Sequence, residues 1–487
     1  LLASTDAGPV KLSLLAGQDL WTAGPTHGLI LHPFGRIQTP ENSDHYLEAL
    51  EAQHLCTGAE ILAAGTGKGE SSTDYNYRAA LYHIYSDGHL SKRETLETAE
   101  FTETLTTACI VPELEGRALK DARPSTPAAL SNIHLPLSDN LAERVLSPHP
   151  LFPAENLNVY AKSVIRCQQA GLLRRLRTLR GQHCVLGFSG GLDSALALVV
   201  LWDLYQKTGR DLHDLYAYTL PGPGSGESGL HLALDLMEAL GLEPRKISIT
   251  PSVKQHLNDL EHPEGLHDVT FENTQARERT QILMDKANQV GGLVIGTGDL
   301  SEKALGWSTY NGDQMSMYEL NAGIPKTLIP ILIRAMYPVL PEEAKAPLEA
   351  IMNRPISPEL VPAKDEEPLQ SSEKALGPYA LHDFFIYHTE AWSAPRSCLL
   401  ALAKLTFSET NLQAFQKLTD ASLEDSVANP LTPFEEETIE ESLNTFHRRF
   451  TRNQFKRSAS ADGAKTGPIS YSPRQGLHLP SDFMGNF

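Results

Sequence analysis

The residues best suited to chemistry form one short run, Gly187-Phe188-Ser189-Gly190-Gly191-Leu192-Asp193-Ser194. Two adjacent glycines permit a tight turn and let the backbone approach a ligand closely. A helix beginning after them would aim the unpaired N–H groups of its first turn at one spot, and its dipole would strengthen their pull on an anion. Ser189 and Ser194 add hydroxyl donors. Asp193 would repel a phosphate, so its presence makes sense if it holds Mg²⁺ that bridges to the phosphates. The plainer alternative is a glycine-rich strand-to-helix turn with Asp and Ser as caps. A second glycine-rich run, Gly65-Thr66-Gly67-Lys68-Gly69-Glu70, imitates a Walker loop but has glycine where Ser or Thr must follow the lysine, and it reads as a decoy.

Such a loop works only when regular elements hold it. Residues 184–188 read as a short apolar strand and 195–205 as the helix after it. Strands are expected again at 215–220, 246–249 and 293–296, with helices at 230–240 and 272–289. This alternation predicts an α/β fold, a parallel sheet with helices on both faces. Ligands then gather beyond the carboxyl ends of the strands, which puts candidate sites just after Phe188, Thr219 and Ile295. A helix at 158–180 precedes the first strand and carries Lys162, Arg166, Arg174, Arg175, Arg177 and Arg180. That basic set faces either an anionic partner or plain solvent.

The whole chain has 487 residues, 41% of them hydrophobic and 21% charged, which excludes disorder and coiled coil and allows two to four domains. A net charge of −19 speaks against nucleic-acid binding through a broad basic face. No apolar run reaches the ~20 residues that span a membrane, and no signal peptide is visible after Leu1. Five cysteines (Cys56, Cys109, Cys167, Cys184, Cys398) without C-x-x-C spacing read as reduced thiols of a cytoplasmic protein. The 18 histidines show no metal-ligand spacing, so no zinc site is expected. Acidic clusters at 365–367 and 435–437 read as a solvated loop and helix start; the former could belong to a mobile lid. Prolines crowd residues 123–153, and three territories follow: 1–122, a linker at 123–154, and 155–487.

A longer signature lies at 291–328, GGLVIGTGDLSEKALGWSTYNGDQMSMYELNAGIPKTL, with HDVTFENTQARERT upstream at 267–280. Gln454-Phe455-Lys456-Arg457-Ser458, Ser472-Pro473-Arg474 and Pro480-Ser481-Asp482 come later. The loop at 187–194 resembles the pyrophosphate loop of the ATP-pyrophosphatase superfamily. Together the motifs resemble the synthetase part of the two-domain, glutamine-dependent NAD⁺ synthetases, nearly continuously over 155–487. The resemblance implies an adenine nucleotide alpha hydrolase-like fold and a ligase that amidates deamido-NAD⁺ through an adenylate, releasing pyrophosphate and AMP. It implies ATP and Mg²⁺, with Asp193 and Glu302 as metal carboxylates. Thr297, Lys326, Ser371 and Ser372 match ATP contacts, and residues 219–224 match the neighbourhood of the adenine. Asn273, Glu302, Trp307, Thr309, Asp313 and Lys456 match positions that hold deamido-NAD⁺. Family members are homo-oligomers, and this is expected here. Each residue has a plainer alternative: Trp307 and Tyr310 as core aromatics, Lys456 and Arg457 as surface charges, Glu302 as a first-turn helix acid. Within the superfamily a GMP synthetase, an asparagine synthetase or a tRNA-thiolating enzyme is an alternative; a non-catalytic scaffold is another, against which the Asp193, Thr297, Glu302 and Lys326 set speaks.

Residues 1–122 resemble, more weakly, the end of the nitrilase-like glutaminase domain fused to these synthetases. Glu70-Ser71-Ser72-Thr73-Asp74 carries part of that likeness, and Gln18-Asp19-Leu20-Trp21 looks like the tail of the family's Cys-Glu-Asp-Leu/Met-Trp motif. Gly17 stands at the cysteine position, so no thioester can form there. Cys56 has only His54 nearby and reads as packing. About half of a nitrilase domain is expected to be missing, leaving ammonia as the nitrogen source in place of glutamine.

Overall fold

The computed structural model describes residues 2–5, 8–16, 20, 29–34, 45–57, 59–65, 80–86, 91–97, 145–153, 156–179, 183–356, 371–418, 432–474, 476 and 479–482. The chain divides into two compact units, Leu1–Leu141 and Ala142–Phe487. Gly17 to Asp19, Trp21, residues 66–74, Arg180, the acidic cluster at 365–367 and most of the expected linker lie outside the described residues.

The first unit is a six-stranded sheet in sequence order: β1 (Leu2–Thr5), β2 (Gly8–Leu14), β3 (Leu29–Phe34), β4 (Glu60–Gly65), β5 (Ala80–Ser86) and β6 (Ser91–Glu97). β2, β3 and β4 are parallel, and the outer pairings are antiparallel. Alternate residues Ile30, Ile61, Ala63, Tyr82 and Ile84 point to one face and pack with Tyr46 and Leu50 of helix α1 (His45–Thr57). His54 spends its Nδ1 on the Ala59 carbonyl at 2.7 Å. That ring nitrogen is therefore committed to the backbone and not to Cys56.

The second unit opens with α2 (Leu157–Leu176), whose Lys162, Arg166, Arg175 and Arg177 are exposed. It then alternates β7 (Cys184–Gly187), α3 (Leu192–Thr208), β8 (Leu215–Thr219), α4 (Glu227–Ala239), β9 (Arg245–Lys246), α5 (Thr250–Asp259), α6 (Val269–Val290), β10 (Leu293–Gly296), α7 (Leu300–Leu305) and β11 (Tyr318–Glu319). The sheet order is β11-β10-β7-β8-β9 and every pairing is parallel. Val185 and Val294, side by side in register, pack with Val253 of α5 and Ala287 of α6. Helix α3 is buried along every residue from Ser194 to Tyr205, as a helix covered on all sides must be.

Of the strand expected at 246–249 only Lys246 is in a strand, the two-residue β9. Ile247 and Ile249 still donate to Thr219 and Pro221 carbonyls at 3.0 Å, but Pro221 has no N–H to return the bond. Among the described residues only helical elements follow β11: a 3₁₀ turn at Lys326–Leu328, then α8 (Ile329–Met336), α9 (Glu342–Met352), α10 (Ser372–Leu376), α11 (Tyr379–Trp392), α12 (Arg396–Thr406), α13 (Glu409–Leu418), α14 (Glu436–Arg452) and α15 (Gln454–Ser458). Glu435 to Glu437 open α14 and are exposed, the solvated helix start expected of them. No helix among the described residues is long and apolar enough to cross a membrane.

Candidate active site

The 187–194 loop turns between β7 and α3. Gly190 takes φ 80°, and Gly191 is the extended N-cap residue with φ −92°. The Ser189 hydroxyl accepts from Gly191 N at 3.1 Å, and the Ser194 hydroxyl donates to the Gly191 carbonyl at 3.0 Å. These bonds fold the loop on itself. The first helical bond runs from Ala195 N to Gly191 O, so the N–H groups before it have no partner within the helix. The whole of 187–194 lines a cavity of about 640 Å³.

Three carboxylates converge beside the loop. Asp193 comes from the first turn of α3, Asp299 caps α7, and Glu302 sits in its first turn. One oxygen from each lies within 4.8 Å of the others. Lys326, brought in by the 3₁₀ turn, places its Nζ 2.7 Å from Asp193, 2.6 Å from Asp299 and 2.8 Å from Glu302. Burial pushes Glu302 up to about 7, against the pull of Lys326 and with a further push from Asp193. Burial also lifts Asp299 well above the usual carboxylate range, again opposed by Lys326. Burial alone would lower Lys326, but Asp193, Asp299 and Glu302 outweigh it and keep it charged. Three carboxyl groups gather round one ammonium, and their hard oxygen donors suit Mg²⁺. Asp193 and Glu302 reach the cavity wall.

A further part of the cavity wall is built on the 306–313 loop. Thr309 donates its hydroxyl to Asn273 Oδ1 at 2.8 Å and its N–H to Asp313 Oδ1 at 2.8 Å. Trp307 Nε1 donates to the Ser372 hydroxyl at 3.1 Å, and the Arg449 guanidinium lies 4.9 Å from the Trp307 ring centroid. Lys456 donates to the Gly306 carbonyl at 2.8 Å and the Ser308 carbonyl at 2.6 Å. Burial lowers its pKa.

Of the residues singled out in the sequence, the loop 187–194, Asn273, Thr297, Glu302, Trp307, Thr309, Asp313, Ser372 and Lys456 share this one cavity. Lys326 does not line it; the lysine lies behind Asp193 and Glu302 with 2% of its side chain exposed. Of 219–224, Thr219, Leu220 and Pro221 reach the wall. Trp307 and Tyr310 are wall residues and not core aromatics, and Arg457 is 2% exposed and not a surface charge. Sequence reasoning missed Asp299, Arg279 and Arg449. Asp299 had a readable signal, an acid three positions before Glu302 at a helix start. Arg279, which donates to the Leu220 carbonyl at 3.0 Å, and Arg449 had none.

A parallel five-stranded sheet with a glycine-rich loop after one strand and a carboxylate cluster after its neighbour is an α/β fold of the adenine nucleotide alpha hydrolase-like kind. The fold is shared with a glutamine-dependent NAD⁺ synthetase from Cytophaga hutchinsonii, at TM-score 0.63 and 15% identity, covering 99% of this chain and 72% of that one. A second such structure, from Acinetobacter baumannii with ADP, aligns at TM-score 0.52 and 15% identity over 99% of this chain and 74% of that one.

A family model for NAD synthase matches residues 164–419, more than half of the chain, and the chain belongs to that family. It is 34% identical over 469 residues to the glutamine-dependent NAD⁺ synthetase of Mycobacterium tuberculosis and 35% identical over 461 residues to that of Mycobacterium leprae. Each alignment covers 90% of this chain, which spans 66% of the length of each relative.

Proposed function

We propose that this chain amidates deamido-NAD⁺ to NAD⁺ with ATP, through an adenylate, releasing pyrophosphate and then AMP. The carrying observation is that one cavity holds both the 187–194 cradle with its carboxylates and the Asn273, Trp307, Thr309, Asp313 and Lys456 wall. In this reading the loop N–H groups and the Ser189 and Ser194 hydroxyls bind the phosphates of ATP, with Thr297 and Ser372 beside them. Asn273, Thr309, Asp313 and Lys456 orient the dinucleotide, with its nicotinate carboxylate toward the α-phosphate. Holding the two together replaces a bimolecular encounter by a positioned one. Asp193 and Glu302 would hold Mg²⁺, whose charge offsets the repulsion between an anionic nucleophile and a triphosphate. Lys326, behind them, offsets the buried charge of the acids themselves.

Ammonia is the nitrogen donor in this reading, because Gly17 supplies no nucleophile at the position matching the family's cysteine. The protein acts in the cytoplasm as a homo-oligomer, a state that sedimentation velocity measures. The test of function is NAD⁺ and pyrophosphate formation from ATP, deamido-NAD⁺ and ammonium. XMP and aspartate serve as rival acceptors, and turnover with either in place of deamido-NAD⁺ overturns the proposal. Glutamate released from glutamine at a comparable rate overturns the choice of ammonia.

A further inference from the structure

Asp299 is 0% exposed, and its two oxygens do different things. Oδ1 accepts the backbone N–H of Glu302 at 2.8 Å, which caps α7. Oδ2 lies 2.6 Å from Lys326 Nζ. Capping alone does not call for a charge, since Asn and Ser cap as well as Asp. A carboxylate withdrawn from water is costly unless a cation and hydrogen bonds offset it, so the charge answers Lys326. Asp193 and Glu302 each keep 20% of their side-chain exposure, whereas Lys326 keeps 2% and Asp299 none. The first two line the cavity and the second two do not. One ammonium is therefore shared between two carboxylates in front of it and one behind.

We infer that Asp299 is a positioning residue for this site. It tethers Lys326 from behind, so that the ammonium does not settle wholly on Asp193 and Glu302, and these two stay available to a divalent cation. The inference rests on the synthetase reading only through the assignment of Asp193 and Glu302 as that cation's ligands. The ammonium contacts both oxygens of Asp193, at 2.7 and 2.8 Å, and Glu302 Oε1 at 2.8 Å. A metal ion needs the same lone pairs, so the two cations compete for them. Removing the negative charge behind Lys326 tightens its hold on the front pair.

Asp299→Asn keeps the size and the capping oxygen and removes the charge. Mn²⁺ is the probe, its binding to the full chain followed by electron paramagnetic resonance with and without ATP. Mn²⁺ affinity is expected to fall roughly tenfold, the scale on which one neighbouring charge biases a carboxylate. A role confined to capping α7 would leave it unchanged. In the double variant Asp299→Asn, Lys326→Met the competing ammonium is gone, and Mn²⁺ binding returns to wild-type strength or better. A single variant whose affinity stays within about twofold of wild type overturns the inference, and so does a double variant as weak as the single. If the single variant does not fold, the double variant decides; weaker binding than wild type overturns the inference. Wild-type protein that binds no Mn²⁺ even with ATP removes both the metal assignment and this inference. The expected Mn²⁺ pattern without NAD⁺ formation supports the inference and removes only the synthetase reading.

Discussion

Replacing Gly190 by alanine separates a ligand cradle from a plain turn. Gly190 sits at φ 80°, where a residue with a Cβ pays ~1–2 kcal/mol. The new Cβ would also lie 2.3 Å from the Gly229 carbonyl oxygen, well inside the 3.4 Å at which ordinary contact begins. That oxygen belongs to the backbone of α4 and cannot swing aside, so the loop must retreat by about 1 Å. A shift of that size in groups that hold a reactant costs on the order of 10²-fold in rate. Gly209→Ala is the control: φ is 63° there, and nothing lies within 4 Å of the added methyl. It carries the backbone strain without the collision. The assay is pyrophosphate release with ATP, deamido-NAD⁺ and ammonium, beside ATP calorimetry and thermal melts. Gly190→Ala is expected to lose about 100-fold in kcat/KM for ATP, and Gly209→Ala less than about threefold, while both melt as folded proteins. A Gly190→Ala protein within about threefold of wild type would show that the position of this loop does not govern nucleotide binding.

Glu302, pushed up to about 7 chiefly by burial, must lose its proton to bind a cation, so Mn²⁺ affinity should fall as pH drops through that value. The folded value lies above the ordinary one, so Glu302 favours the fold at low pH and that contribution is lost as pH rises through about 7; Glu302→Gln should flatten both profiles, and an unchanged pH dependence would count against the assignment. His149 is buried against Phe152, at 5.1 Å between ring centroids, and burial lowers it from 6.5 to about 4. Its contribution is full above 6.5 and is lost as pH falls toward 4; the shift is worth roughly 3 kcal/mol, and His149→Phe should remove that part of the acid limb in denaturant titrations. Lys456→Met loses the bonds to the Gly306 and Ser308 carbonyls, so KM for deamido-NAD⁺ should rise about tenfold with a smaller change in kcat; a change confined to the KM for ATP would refute the placement of this wall.

The alternation from residue 184 to 296 was legible because each strand is a short apolar run and each helix carries its own period. The loop at 187–194 was legible for the same local reason. The third strand was overextended, since an apolar run says nothing about whether its neighbour ends in proline. The placement of Lys326 behind the carboxylates was not legible, because a motif fixes which residues gather and not their depth. Burial of Arg457 was hidden for another reason. A run such as Lys456-Arg457 looks solvated until the carbonyls that accept from it are known, and those come from Lys303, Ala304 and Phe450.

Those carbonyls explain why so much helix follows the sheet. Helix α7 is six residues long and ends at Leu305, so its last carbonyls need partners from elsewhere. Gly306 turns the chain at φ 59°, and a Cβ there would lie 2.2 Å from the Asn453 side chain, so glycine is what lets α14 and α15 approach. Arg449 donates to the Leu305 carbonyl at 3.0 Å, Asn453 to the same oxygen at 3.2 Å, and Arg457 to the Ala304 carbonyl at 2.7 Å. Arg457 is buried, with Glu390 acting on it electrostatically, and helix C-terminal carbonyls accept its N–H groups, since that end of a helix is negative. Lys456 continues the series to Gly306 and Ser308. Trp307, Thr309 and Asp313 therefore stand on a loop whose shape is set by cations some 150 residues away in sequence, at separations of 144 for Arg449 and 153 for Arg457. The 187–194 loop and the carboxylates sit at the ends of the strands, but the 306–313 wall keeps its form only while the last two helices hold it. Neutralising Arg457 should therefore lower stability and distort the acceptor wall together, while leaving the 187–194 cradle intact.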